Sequence, residues 1–168
     1  MREDGHTQGP SPGRSLLRRA ARRLFGWWLF DVGAGIYNLM NANPVWQASC
    51  ARLLDDLPEG ADPVVLDLGI GPGVSAFGMG RRLPGARFVG LDISPHMLET
   101  ARRNREALGW PAGRLGLLRG DALRLPVASG SVDAAAGHSF LYLLPDHRRA
   151  LEEACRVVRR GGRAAFLE

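Results

Sequence analysis

Three carboxylates and a glycine-rich run carry the chemistry of this 168-residue sequence. The run is Asp67-Leu-Gly69-Ile-Gly71-Pro-Gly73, and the other carboxylates are Asp92 in Gly90-Leu-Asp92-Ile-Ser-Pro and Asp121 in Arg119-Gly120-Asp121-Ala122. Glycines let a chain turn sharply after a strand and let a ligand approach the backbone, and the helix that follows offers unpaired N–H groups. Gly71-Pro-Gly73-Val-Ser-Ala76 fits the dinucleotide pattern G-x-G-x-x-A. Asp67 argues for a different ligand, because a carboxylate inside the turn repels a pyrophosphate and welcomes an ammonium group. Asp92, closing the next strand, suits the two hydroxyls of a ribose, although a carboxylate before Ser94-Pro95 also suits a helix start. Asp121 can accept from an adenine amino group while the Ala122 N–H meets a ring nitrogen, and equally it can be a turn residue. His138, between Gly137 and Ser139, either faces the site or hydrogen-bonds a loop. Tyr142 follows it on the same side. His96 and His147 read as solvated residues at helix starts, Met79 and Met97 as core or wall residues, and Asp133 as a strand-entry or turn residue.

The elements that must position these groups follow from the hydrophobic pattern. Residues 1–13 read as a flexible tail. Residues 14–30, RSLLRRAARRLFGWWLF, place Leu16, Leu17, Ala20, Ala21, Leu24, Trp27 and Trp28 on one helical face and four arginines on the other. Asn43-Pro44 caps a second helix, expected to run to about Leu57. From residue 63, apolar strands (64–69, 87–92, 114–120, 131–137) alternate with helices to about Leu83, to about Leu108 and over 146–160. Gly161-Gly162 reads as the cap of the last helix, and 163–168 as a closing strand. Alternation of this kind predicts a parallel sheet with helices on both faces.

Composition removes other classes. The formal net charge is +5, but residues 1–30 carry six arginines against two acids, and the remainder sixteen arginines against fifteen. A nearly neutral body argues against a nucleic-acid partner. Cys50 and Cys155 are too far apart in sequence for a disulfide scaffold or a zinc finger, and no metal is expected. No run of 18 apolar residues suggests a membrane span, and arginines interrupt every candidate signal core, so the expected location is cytoplasmic. The basic helix also suits an anionic membrane surface, against the alternative that its apolar face packs on the domain.

Four segments in order, VVLDLGIGPG, FVGLDISPHMLETARRN, LLRGDALRLPVASGSVDAAAGHSFLYLLPD and ALEEACRVVRRGGRAAFLE, resemble the class I S-adenosylmethionine-dependent methyltransferases over residues 63–168. The resemblance implies a Rossmann-like three-layer α/β sandwich with strand order 3-2-1-4-5, preceded by N-terminal helices. It implies that Asp67, Gly69, Gly71 and Gly73 hold the methionine part of the cofactor, and that Asp92 binds the ribose with Ile93 and Met97 beside the adenine. Asp121 and Ala122 would read the adenine edge. His138 would help position the methionine amine and face the substrate, with Tyr142 as a further catalytic candidate and Tyr37 closing the site. The implied reaction is an in-line methyl transfer to an O, N or C nucleophile of a small molecule or lipid. The alternatives are an NAD-type oxidoreductase and a non-catalytic cofactor-binding or interaction module. Domain bounds follow as tail 1–13, helical segment 14–60 and cofactor-binding domain 61–168. Relatives usually carry two more strands, so the sequence is expected to be C-terminally incomplete, with 163–168 a bare edge open to self-association and turnover by this chain alone in doubt.

Overall fold

The computed structural model describes residues 43–57 and 62–168. Tyr37, the tail and the basic stretch 14–30 lie outside the described residues. β1 (Val64–Leu68) is buried along nearly its whole length, as an unbroken apolar run requires when helices cover both faces of a sheet. It pairs in parallel with β2 (Arg87–Asp92) on one side and β4 (Val132–His138) on the other. β3 (Leu115–Arg119) and β5 (Val158–Leu167) flank them, which gives a five-stranded sheet in the order 3-2-1-4-5. The expected fold class is the observed one.

Neighbouring residues of one strand serve opposite layers, because successive side chains of a strand alternate faces. Val65, Ala134 and Ala136 pack with Ala76 and Met79, whereas Leu66 and Ala135 pack with Ala150, Ala154 and Val157. The helices start where sequence chemistry places caps. The Asn43 side chain accepts from the Val45 N–H ahead of α1 (Pro44–Ala51), Ser94 from Met97 ahead of α3 (Pro95–Ala107), and Asp146 from Arg149 ahead of α4 (His147–Val157). Helix α2 (Val74–Arg82) is the exception: Gly73 precedes it and supplies no side-chain cap. Among the described residues, no helix is long and apolar enough to cross a membrane.

Two expected boundaries move. α1 ends at Ala51, not near Leu57, and the chain continues in turns whose N–H groups reach back three residues, Arg52 to Ser49 and Leu57 to Leu54. That tightening turns Leu54 inward and leaves Leu53 and Leu57 partly covered. The last helix ends at Val157, not Arg160, and its terminal carbonyls are met by Gly130 and Ser131 N–H groups. Gly161-Gly162 is therefore not a helix cap. The pair lies inside β5, at an irregularity where Val132 pairs with Val158 but Ala134 pairs with Arg163. Gly161 adopts φ +79°, a conformation that favours glycine.

Candidate functional site

The strand order reverses between β1 and β4, and in open parallel sheets the crevice beyond the strand ends at that point is where ligands bind. Here it is a cleft lined by Trp46, the Gly69–Pro72 turn, Val74, Ser75 and His138. The turn is possible because Gly69 and Gly73 sit at φ +65° and +97°. A Cβ at Gly69 would stand 2.7 Å from that of Phe140, and one at Gly73 would stand 2.7 Å from the Phe77 ring. Both positions therefore need glycine for space as well as for backbone angle.

Asp67 is fully buried at the base of the turn. Its Oδ2 accepts from the Ser75 hydroxyl at 2.6 Å, while Oδ1 is buried without a partner. Burial pushes this carboxyl up to about 7, against hydrogen bonds from the Ser75 hydroxyl and the Ala76 backbone N–H, and Asp92 adds a smaller push in the same direction as burial. A buried acceptor with an unused oxygen is the feature a cationic donor would satisfy. Cys50 is the buried residue of α1, and burial followed by the nearby Asp67 charge raises its thiol to about 12, so it packs as a neutral group.

Asp92 ties the end of β2 to the glycine turn. Its Oδ2 accepts from Gly71 N–H and its Oδ1 from Ser94 N–H, each at 2.9 Å. Burial raises its pKa, opposed by these amides. A carboxylate has about four lone-pair sites, so Asp92 keeps capacity for a hydroxyl donor. Asn104 on α3 steadies the same turn by donating to Pro72 O at 2.9 Å. Ile93 is exposed beside Asp92, and Met97 is buried in the first turn of α3.

Asp121 is exposed, and its Oδ1 accepts from Leu123 N–H at 2.9 Å, so the turn role is realised and its other oxygen stays available. Ala122 beside it is buried. The loop after them is held from α4. Glu153 accepts from Leu125 N–H, and Arg156 donates to the carbonyls of Leu125 and Val127.

His138 is the last residue of β4 rather than a residue past it. Its ring lies 4.3 Å from that of Trp46, and its Nε2 and Nδ1 lie 2.9 and 3.0 Å from the hydroxyls of Ser49 and Ser139. Burial lowers its pKa below the ordinary histidine value, and the Glu168 carboxylate opposes that. Tyr142 stands 66% exposed on a 3-10 turn (Leu141–Leu143) outside the cleft lining. Glu168 carboxylate oxygens accept from the N–H groups of Phe140, Leu141 and Tyr142.

Asp67, Asp92, the glycine turn and His138 thus converge on one strand-end crevice. Ser49, Trp46, Ser75, Ser139 and Glu168 were not legible as site residues. Only Ser75 carried a signal, since it opens the helix after the glycine turn. The expected strand-entry role of Asp133 is realised, because its carboxylate accepts from Val64 N–H at 2.7 Å and pairs with Arg159.

A methyltransferase-domain family model matches residues 65–162. The chain is 39% identical over 146 residues to a demethylmenaquinone methyltransferase of Thermus thermophilus, covering 83% of this chain and 64% of that protein. It is 35% identical over 149 residues to a ubiquinone/menaquinone biosynthesis C-methyltransferase of Paracoccus denitrificans, covering 83% of this chain and 57% of the relative. Among solved structures, a geranyl diphosphate methyltransferase in complex with S-adenosylmethionine superposes with a TM-score of 0.63 at 26% identity, over 71% of this chain and 48% of that one. The chain therefore spans about three fifths of the length of these two curated relatives.

Proposed function

The chain belongs to the methyltransferase-domain family, and from that membership we propose that residues 61–168 bind S-adenosylmethionine and that the protein methylates a small apolar molecule of quinone or lipid type. The observation that carries the cofactor reading is the buried, unpartnered Asp67 Oδ1 beside the Gly69–Gly73 turn. A dinucleotide pyrophosphate would place negative charge against that oxygen, and the family match leaves the oxidoreductase alternative without support.

In this reading Asp67 takes the cofactor's ammonium group and the glycines leave room for its methionine chain. Asp92 takes the ribose hydroxyls, Ile93 and Met97 wall the adenine, and Asp121 with the Ala122 N–H reads its edge. Tyr37 closes the site, and Tyr142 lies on the acceptor side. When bound, the cofactor supplies a sulfonium-activated methyl group for displacement by a nucleophile. The chain's own share is alignment of that nucleophile and exclusion of water by Trp46, Phe140 and the α1 helix, and alignment alone is worth several kcal/mol, on the order of 7 or more in well-oriented systems. The fit rests on donor chemistry: two carboxylates at successive strand ends with spare lone pairs, and a turn whose glycines admit a ligand against the backbone.

Calorimetric titration of the full chain with S-adenosylhomocysteine is expected to show one-site binding, with no heat from NAD. Binding of NAD alone would overturn the reading. The reading extends to the N-terminal stretch. Residues 14–30, with Arg18, Arg19, Arg22 and Arg23 opposite an apolar face ending in Trp27 and Trp28, suit peripheral contact with an anionic bilayer, and the edge strand around 163–168 suits self-association. Sedimentation with phosphatidylglycerol liposomes is expected to carry down the full chain and not a form lacking residues 1–30, whereas equal sedimentation would sink the membrane contact.

A further inference from the structure

The hydroxyl proton of Ser49 decides which nitrogen of His138 is basic. Ser49 Oγ lies 2.7 Å from Trp46 O, one turn back on α1, and 2.9 Å from His138 Nε2. A serine hydroxyl has one proton to give. Two oxygens at 2.7 Å with no hydrogen between them repel each other, so Ser49 donates that proton to the Trp46 carbonyl. Ser49 Oγ can then only accept from His138, which places the ring proton on Nε2. In the neutral ring the lone pair is on Nδ1, and the group at Nδ1 is the Ser139 hydroxyl at 3.0 Å, which donates to it.

Ser139 is itself held in an unusual way. It is the one non-glycine residue with positive φ among the described residues, at +53°. Such strain persists only where the surroundings enforce it. Ser139 N–H donates to Leu167 O at 2.7 Å, and the Glu168 carboxylate takes the next N–H groups along the chain, those of Phe140, Leu141 and Tyr142 at 3.4, 3.1 and 3.2 Å. The end of β5 thereby fixes the serine against the histidine, while the Trp46 ring on α1 packs 4.3 Å from the imidazole.

We propose that Ser49 is a positioning residue for His138: with its own proton committed to the Trp46 carbonyl, it holds the imidazole as the tautomer protonated at Nε2 and leaves the Nδ1 lone pair to the Ser139 hydroxyl. In this tautomer Nδ1 is the basic nitrogen of the ring, and Ser139 covers it. Burial keeps the ring neutral near pH 7. The arrangement of these side chains is independent of the methyl-transfer reading.

Two measurements on the full chain test the lock without turnover. Long-range nitrogen–proton NMR of the imidazoles is expected to show His138 as a single tautomer, protonated at Nε2. Ser49→Ala is expected to release the lock and populate both tautomers. Diethyl pyrocarbonate, which attacks an unprotonated ring nitrogen, is expected to modify His138 at least tenfold more slowly than the exposed His96 and His147, read peptide by peptide. Ser139→Gly, which suits the positive φ, is expected to bring that rate within about threefold of the controls. A His138 protonated at Nδ1, or modified as fast as His96 in the unaltered protein, overturns the proposal. S-adenosylhomocysteine titration is run on the unaltered chain and on Ser139→Gly. Absence of binding in both would sink the methyltransferase reading and leave the tautomer result standing.

Discussion

Replacing Asp67 by Asn is expected to lower the affinity for S-adenosylhomocysteine by tenfold to a hundredfold and, at the same time, to stabilise the ligand-free protein above pH 7. The two effects share one cause. Asp67 is fully buried, is met by the Ser75 hydroxyl and the Ala76 backbone N–H, and still carries an oxygen with no partner, so its ionised form is poorly solvated. Burial raises its pKa to about 7 in the folded state, against roughly 3.9 for an ordinary aspartate. A carboxyl raised on folding binds its proton more tightly in the native state. Its contribution therefore favours the native state below the unfolded value and is withdrawn as the pH rises from about 4 to 7, where it levels off. The withdrawal amounts to at most about 4 kcal/mol at one pKa unit per 1.4 kcal/mol. A bound ammonium group reverses the balance, so ligand affinity rises with pH through the same window. Denaturant unfolding at pH 5 and pH 8, together with calorimetry at both, checks this. The amide introduced by Asp67→Asn cannot ionise, so both slopes flatten; a variant that keeps the parent's pH dependence would show that another group titrates.

Glu153→Ala is expected to destabilise the protein by roughly 3 kcal/mol and to weaken nucleoside binding through a residue that never touches the ligand. Glu153 is only 4% exposed, covered by the arginines it binds. One carboxylate accepts from Leu125 N–H at 2.8 Å and pairs with Arg156 at 2.8 Å and Arg149 at 3.2 Å. Those guanidiniums then grip the loop after β3: Arg156 reaches Leu125 O, Val127 O and Ser129 Oγ, and Arg149 reaches Leu123 O at 3.2 Å. Removing the carboxylate strands the Leu125 amide and releases both arginines, and the loop they hold begins at Asp121-Ala122. The Arg156 hydrogen bonds hold the Glu153 pKa down to about 2, so its contribution is complete at neutral pH and is lost only as the pH falls from about 4 toward 2. Glu153→Gln keeps an acceptor for Leu125 and is expected to lose less than half as much. Thermal unfolding of both variants, with nucleoside titration, reads the effect; an alanine variant as stable as the parent would show that the loop holds itself.

The proposed cofactor half of the site is legible in the sequence because its determinants are local. Asp67, Gly69 and Gly73 lie within one strand-to-helix turn, and Asp92 with Ser94-Pro95 marks both a strand end and a helix cap. Turn chemistry and side-chain caps act over two to four residues, so residue order alone exposes them. The acceptor half was less legible. His138 stood out by type, but the partner that sets its tautomer lies 89 residues away on α1. Tyr142 shared the right stretch of sequence, yet the 3-10 turn leaves it exposed.

What the sequence determined by itself was therefore the fold class, the strand order implied by its motifs, the helix starts and the line of carboxylates at successive strand ends. The tertiary structure decided where the last helix stops. Val158–Arg160 could continue a helix by propensity, but pairing with β4 draws the chain out as strand, and Gly161 absorbs the mismatch in register. Tertiary structure also decided the charge of Asp67, the tautomer of His138 and the grip of Glu153 on its loop. Each of these depends on burial and on hydrogen-bond partners from distant segments. A residue's chemical type is written in its sequence, but the energy of its charged or protonated form is set by the neighbours that folding brings to it.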